Sequence, residues 1–357
     1  MSGRHRIAVL GTGSLARAVC YSLAAVCRAP VDVVVVGRSE ERSRQVAYVA
    51  GTRAVSGANA DIGFRPATDL EAALRDVDGV LVCASSQSPW ERLSAPSEWT
   101  ALVGRAGYGI TMPFQTELVL RAGRLLADRS PRPWLLNGCF PDAVNPLLAA
   151  LGVPVLAGIG NIALLAASAQ AALGLPDQRR LKMLGHHVHL HAPADGEDDV
   201  RVWLDEQASP APGDLLALQR ATDRTELNHV TGHDAALLLT ALLSGTPTDT
   251  HLPGPLGLPG GYPVHLRGTD LTLRLPTGVG HADAVALNQR WAAADGVVVD
   301  EGRVRFGPRA AAELARLAPD LADGFAVGDL ISATAELNLL RERLRGQPAD
   351  RLPGVTA

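Results

Sequence analysis

Four histidines fall within six residues, His186, His187, His189 and His191. An imidazole titrates near neutrality, which suits the proton transfer that accompanies hydride transfer at a carbinol or carbonyl carbon. The stretch Arg180 to His191 alternates apolar and polar residues as a strand does. That pattern predicts His187, His189 and His191 on one face and His186 on the other. Three imidazoles on one face permit a metal site; one functional histidine, with the others exposed or hydrogen-bonded, is the less demanding arrangement, and no metal is assigned. A second set of reactive types lies near the start of the chain, where Gly11, Gly13 and Ala16 follow the apolar run Ile7-Ala8-Val9-Leu10. Gly-x-Gly-x-x-Ala between strand and helix suits a pyrophosphate. Gly11 permits the tight turn, Gly13 lets the backbone approach, and Ala16 lets helix and strand pack closely. The N–H groups of Ser14 and Leu15, opening the helix, are then free for phosphate oxygens.

The next strand and its neighbours must place these groups. Val31 to Val36 is a β-branched run, as a buried parallel strand requires. An acidic residue at its far end would hold the ribose 2′-hydroxyl of NAD. The strand instead runs into Gly37-Arg38-Ser39, with Arg42 one helical turn on, and Asp32 lies at the opposite end. Arg38, Ser39 and Arg42 suit a 2′-phosphate, so NADP is the expected cofactor, with NAD as the alternative. The competing reading makes both arginines solvated helix-start residues.

Ligands of open α/β sheets sit beyond the carboxyl ends of the strands. The fourth strand ends at Cys83, and Ala84 and Ser85 then lie beside the nicotinamide. The loop that follows carries Arg92, whose planar fork can clamp an anionic group or stand free in solvent. The fifth strand ends at Asn137, and Asn145 follows one helix turn later. Both offer donors and acceptors to nicotinamide (Asn137) or substrate (Asn145), or serve as caps.

The chain has 357 residues, room for two domains, and a net charge of −4. It has no basic surface for nucleic acid and no secretory signal, so a cytoplasmic location is expected. Its four cysteines show no metal or redox spacing, and Lys182 is the only lysine. The uncharged run Val153 to Leu175 is long enough for a bilayer but contains Pro154, Gly158, Gly160 and Asn161. A buried strand leading into a buried helix explains it better, and no membrane association is expected.

Strands and helices alternate through residue 150, as a doubly wound sheet requires. The expected fold is α/β: a Rossmann-type doubly wound parallel sheet over 1–150, then an α+β substrate and oligomerisation domain over 151–345 and a frayed tail over 346–357. Thr246 to Pro263, rich in Pro and Gly, reads as loop. Hairpins are expected over His265–Leu275 and Gly296–Phe306, and helices over Asp283–Ala294, Ala310–Leu317 and Ile331–Leu344.

In order and spacing, several segments resemble the lactate/malate dehydrogenase superfamily, which includes the NAD-dependent family-four glycoside hydrolases. They are Gly11–Ala16, Pro89-Trp90-Glu91-Arg92, the region of Pro141, Gly158-Ile159-Gly160-Asn161, Leu184-Gly185-His186-His187, Thr225–Leu243 and Gly261-Tyr262-Pro263-Val264. The resemblance runs from Ile7 to about Gln289. It implies that His187 is the catalytic histidine, a proton shuttle in the dehydrogenases and a metal ligand in the glycosidases. It places Arg92 near the arginine that polarises a substrate carbonyl, and Asn228 and His229 toward substrate; His189, on the expected His187 face, is a further substrate candidate.

The chain also departs from that pattern. The aspartate that pairs with the family's histidine is missing from Asn161-Ile162-Ala163-Leu164-Leu165, as is the carboxylate-binding arginine from Ala166 to Gln170. Gly160 stands where the glycosidases need a metal-binding cysteine. Asn161 is then expected to fix the His187 tautomer, with His187 titrating lower than it would beside a carboxylate. The expected protein is an NADP-dependent oxidoreductase acting on a C–O or C–N bond of a small substrate, assembled as a homodimer or homotetramer. The alternatives are a hydrolase, lyase or epimerase that oxidises transiently, and a non-catalytic dinucleotide sensor.

Overall fold

A computed structural model describes residues 3–193, 198–209 and 211–348. The first half alternates β1 (His5–Leu10), α1 (Ser14–Val26), β2 (Val31–Val36), α2 (Glu40–Ser56), β3 (Ile62–Ala67), α3 (Leu70–Ala73) and β4 (Gly79–Val82). Next come α4 (Glu91–Ser94), α5 (Glu98–Ala106), α6 (Met112–Leu126), β5 (Trp134–Asn137), α7 (Pro141–Ala150) and β6 (Ala157–Gly158). The six strands form one parallel sheet in the order β3-β2-β1-β4-β5-β6. The order reverses between β1 and β4, so a crevice opens at their carboxyl ends. Four of the six β2 residues are fully or almost fully buried valines at positions 31, 33, 34 and 35, which explains its unbroken apolar run.

The second half begins with α8 (Ile162–Ala172) and β7 (Leu181–Leu184), then β8 (Arg201–Leu204), β9 (Gln207–Ala208), α9 (Ala217–Ala221) and α10 (Arg224–Ser244). Strands β10 (Thr248–Pro253), β11 (Gly261–Arg267) and β12 (Asp270–Leu273) precede α11 (His281–Asp295). Last come β13 (Val297–Asp300), β14 (Arg303–Phe306), α12 (Pro308–Leu317), β15 (Phe325–Ala326) and α13 (Leu330–Arg345). These strands form three small antiparallel sheets, β7-β8-β9, β10-β11-β12 and β13-β14-β15.

Two packing relations matter for function. Helix α10 lies against α1 so closely that a side chain at Gly232 would meet the Ala18 Cβ at 2.4 Å. The last elements fold back onto the nucleotide half: one buried cluster joins Ala8, Leu10, Val80 and Phe114 with Val297, Phe306, Leu337 and Leu344.

Two sequence expectations need correction, and a third, the buried strand leading into a buried helix over 153–175, is borne out. The strand expected over Arg180–His191 stops at Leu184, and His187–Leu190 form a 3-10 turn. Thr246–Pro263 is not all loop: Thr248–Pro253 pairs with Gly261–Arg267, with Pro253 ending its strand and Pro263 inside β11 offering its carbonyl to the Arg274 N–H. Residues 153–175 are a two-residue strand and α8, and no helix among the described residues is long and apolar enough to cross a membrane. Most of the expected tail, residues 349–357, lies outside the described residues.

Candidate active site

The nucleotide side is built at the β1 carboxyl end. Gly11 has φ of +132°, and a Cβ there would sit 2.9 Å from the Cys83 carbonyl oxygen. Only glycine fits that turn without strain. A Cβ at Gly13, by contrast, would meet nothing within 4 Å, so the backbone there faces open space. Gly13 caps α1 and no side chain fills the cap, leaving the first-turn N–H groups of this 13-residue helix for an anion. These features fit a dinucleotide pyrophosphate. Arg38 and Arg42 are exposed beyond the β2 end. Ser39 is committed differently: its Oγ accepts the Arg42 N–H at 3.3 Å and caps α2. Asp32, at the far end, pairs with Arg4 at 2.7 Å.

The second side centres on His187. Its Nδ1 lies 2.9 Å from Asp295 Oδ2, the last residue of α11. Its backbone N–H donates to Asp142 Oδ1 at 3.1 Å. Asp142 is fully buried on α7, and its other oxygen accepts from the Asn161 amide. Tyr108 stacks on the His187 ring at 5.4 Å with 28° between planes, and Phe140 meets it edge-on at 5.2 Å. Phe140 sits at φ of +49° just past β5, so the ring is aimed by a backbone conformation rare for an aromatic residue. Gln115 holds Tyr108 by donating to its hydroxyl at 2.7 Å. The His187 side chain is 19% exposed, and its Nε2 has no partner among the described residues.

Burial alone disfavours the His187 imidazolium, but Asp295 and then Asp142 outweigh it and raise the pKa above the ordinary histidine value. Burial likewise pushes Asp295 up, and His187 overrides it, holding the carboxyl below its ordinary range. The pair is therefore an imidazole–carboxylate dyad with one ring nitrogen available. Asp295 is placed by a close backbone crossing, because a Cβ at Gly109 would lie 2.6 Å from the Gly296 carbonyl carbon. Gly296 itself has φ of +100° and ends α11.

Of the four neighbouring histidines, only His187 joins this pair by hydrogen bond. His189 is buried and structural: Nδ1 accepts the His186 N–H at 2.9 Å, Nε2 donates to the Asp198 carbonyl at 2.8 Å, and Trp291 meets its ring edge-on. Burial lowers its pKa to about 4. His191 lies at the surface, with Nε2 2.7 Å from Arg224 Nη1. The 3-10 turn, rather than a strand, separates the side chains in this way. No group of three or more metal-ligating side chains is found among the described residues.

The structure corrects several expected contacts. Asn161 does not touch His187; it bonds to Asp142, so the His187 tautomer is set by a carboxylate and its pKa moves up. Asn137 and Asn145 are fully buried and bonded to each other at 2.9 Å. Asn137 also accepts the Cys139 N–H, and Asn145 donates to the Gly254 carbonyl. Their amides brace the β5 turn and are spent on protein partners. Arg92 is exposed on α4 and makes no contact with the His187 cluster. Its loop is pinned, since Gln87 bonds Trp99 and Glu91, Arg345 pairs with Glu91 at 2.7 Å, and Arg341 holds the Ser86 carbonyl. Ala84 packs under Gly11, and Ser85 Oγ donates to the Gln87 carbonyl. On α10, Asn228 reaches the cofactor turn, donating to Ser14 Oγ at 3.0 Å, while His229 is exposed.

The arginine that reaches the cluster is Arg224, one helical turn before Asn228. Helix α10 thereby spans from the dyad to the phosphate turn. Neither Asp295 nor Arg224 was singled out by sequence, although one signal existed. Each charge sits at the unfavourable end of its helix, an acid in the last turn of α11 and a base in the first turn of α10.

A doubly wound parallel sheet, joined to an α+β half that carries a His–Asp pair toward its carboxyl edge, defines an α/β architecture. A solved structure of 6-phospho-alpha-glucosidase from gut microorganisms, in complex with NAD and glucose-6-phosphate, is 10% identical, covers 98% of this chain and 100% of its own, and has a TM-score of 0.57. Lactate dehydrogenase from Eimeria maxima, with NADH and oxamate, is 13% identical over 81% of this chain and 91% of its own, with a TM-score of 0.51. At that identity the likeness is one of fold: the chain has the lactate/malate dehydrogenase-like fold. No protein-family model and no curated protein matches the sequence.

Proposed function

We propose that the protein is an NADP-dependent oxidoreductase acting on a C–O or C–N bond of a small substrate, with His187 as general acid/base. The observation that supports it best is the His187–Asp295 pair, beside the strand edge at which Gly11 and Gly13 leave room for a pyrophosphate. Gly11, Gly13, Ser14 and Leu15 would hold the phosphates, and Arg38 and Arg42 the 2′-phosphate. When bound, the nicotinamide accepts or supplies the hydride. In the oxidative direction His187 Nε2 takes the hydroxyl proton while the carbon–hydrogen bond breaks, and Asp295 stabilises the imidazolium that forms. The solved relatives with this fold bind NAD or NADH, so NAD is the cofactor to be beaten.

A second reading keeps the fold and dyad but ends without net redox change, as a hydrolase, lyase or epimerase. It is favoured by the glucosidase likeness extending over 98% of this chain. Net consumption of NADPH during turnover argues against it. The main test pairs two measurements. NADPH is expected to bind more tightly than NADH, and His187→Gln to lose turnover by about 10²-fold or more while keeping NADPH affinity. Tighter NADH binding overturns the cofactor assignment, and retained turnover overturns the role of His187.

A further inference from the structure

Behind the dyad lies a buried polar layer in a region otherwise packed with apolar side chains. Asn288, Trp291 and Asp295 recur on α11 at spacings of three and four, which puts them on one face. That face packs against the turn carrying His186, His187 and His189 and against Tyr262 on β11. His186 is fully buried, and neither of its ring nitrogens has a hydrogen-bond partner among the described residues. Its Nδ1 lies 3.6 Å from Asp295 Oδ2, the oxygen that His187 Nδ1 contacts at 2.9 Å. An unpartnered buried imidazole is costly to retain unless it finds a partner part of the time.

We infer that His186 is a positioning residue for the dyad: a second imidazole donor, poised on the same Asp295 oxygen, that shares the carboxylate with His187. This rests on the reading of His187 as the acid/base. The ring needs to move only a few tenths of an ångström for Nδ1–H to donate to Oδ2. While His187 is neutral, His186 then supplies Asp295 with its second donor. When His187 is protonated, its stronger charge-assisted bond claims the oxygen and His186 falls back. The exchange spreads the carboxylate over two donors and so limits how far Asp295 raises the basicity of His187.

Other charged or titratable groups facing this pair are Asp142 on α7, Tyr108 before α6, Arg224 on α10, His189 in the turn and His191 just beyond it. None of them shares Asp295 Oδ2 at comparable distance.

The test is an NMR titration of the His187 ring in the whole protein, which needs no turnover and so stands apart from any failure of the proposed reaction. In wild type, ring nitrogen shifts should show His186 neutral and protonated on Nδ1; the Nε2-protonated tautomer overturns the inference. His186→Phe removes the donor and should raise the His187 pKa by about half a unit or more, within the range that single neighbours produce. His186→Gln keeps a donor and should shift it less. If both variants titrate as wild type, or shift equally, the inference fails, whatever they do to melting temperature. Should the Phe variant not fold, the wild-type tautomer and the Gln variant still decide it.

Discussion

The two sides of the candidate site are built in opposite ways. The nucleotide side is local: Gly11, Gly13, Ser14 and Leu15 belong to one turn, and their geometry follows from β1 handing over to α1. The dyad side is collected from the whole chain: Tyr108, Phe140, Asp142, His187, Arg224 and Asp295 come from five different segments. The first kind of site is set by backbone conformation, and the second by tertiary packing. A side chain substituted in the second can be replaced functionally by another of the same chemistry arriving from elsewhere. Here the carboxylate beside the histidine comes from α11, while the α8 position ahead of it carries Asn161.

The largest test of that contrast falls on the carboxylate. Asp295→Asn should cut turnover by about 10²-fold or more, as expected for a lost acid/base partner, and lower the His187 pKa, while NADPH affinity holds. An Asn161→Ala variant with an equal loss would return the role to α8. On the nucleotide side, replacing Arg38 and Arg42 together with Ala should weaken NADPH by about tenfold or more, the scale of a lost charge-assisted hydrogen bond, and leave NADH unchanged. Equal losses for both cofactors would make these arginines general surface charge.

Asn145→Ala tests the brace between the two sides. It strands the Gly254 carbonyl and removes one partner of Asn137, at a cost of about 1–3 kcal/mol, readable as a lower melting temperature. Lost turnover at an unchanged melting temperature would place Asn145 in the substrate site.

The remaining test is on acid stability. His189 and His251 are held neutral by burial, with pKa values lowered to about 4 and about 3 from the ordinary 6.5. The unfolded chain therefore binds more protons than the folded one as pH falls below 6.5. Each residue should remove up to about 1.4 kcal/mol per pH unit through that window. His187 has the opposite sign: its stabilisation is complete below the unfolded value and fades as pH rises through the raised one. Denaturant midpoints between pH 4 and 8 separate the two, and a flat profile below 6.5 would contradict the buried neutral histidines.

What was legible in the sequence follows the same division. The β-branched run of β2, the glycine turn and the helix starts are local decisions, and the parallel sheet lies where they put it. The histidine run was legible as reactive but not as geometry, since strand alternation and a 3-10 turn share the same few residues until Gly185 bridges to Gly261. The pairing of Asp295 with His187 was invisible to any window of sequence, because 108 residues separate the two. Thr246–Pro263 misled for a composition reason: proline and glycine mark loops on average, yet the ends of a short antiparallel pair tolerate both.

The backbone crossing of Gly109 and Gly296 gives the site a direction in time. A chain made from its amino end can complete all six strands of the parallel sheet, and with them the phosphate turn, once Gly158 has emerged. Asp295 follows more than a hundred residues later, and at about 5–20 residues per second that gap lasts roughly 7 to 27 seconds. During that interval the nascent protein has the sheet strands and the glycine turn but lacks both the carboxylate partner of His187 and the apolar elements that complete the sheet's core. The glycine turn and the His–Asp pair are thus completed as separate events in the life of each molecule.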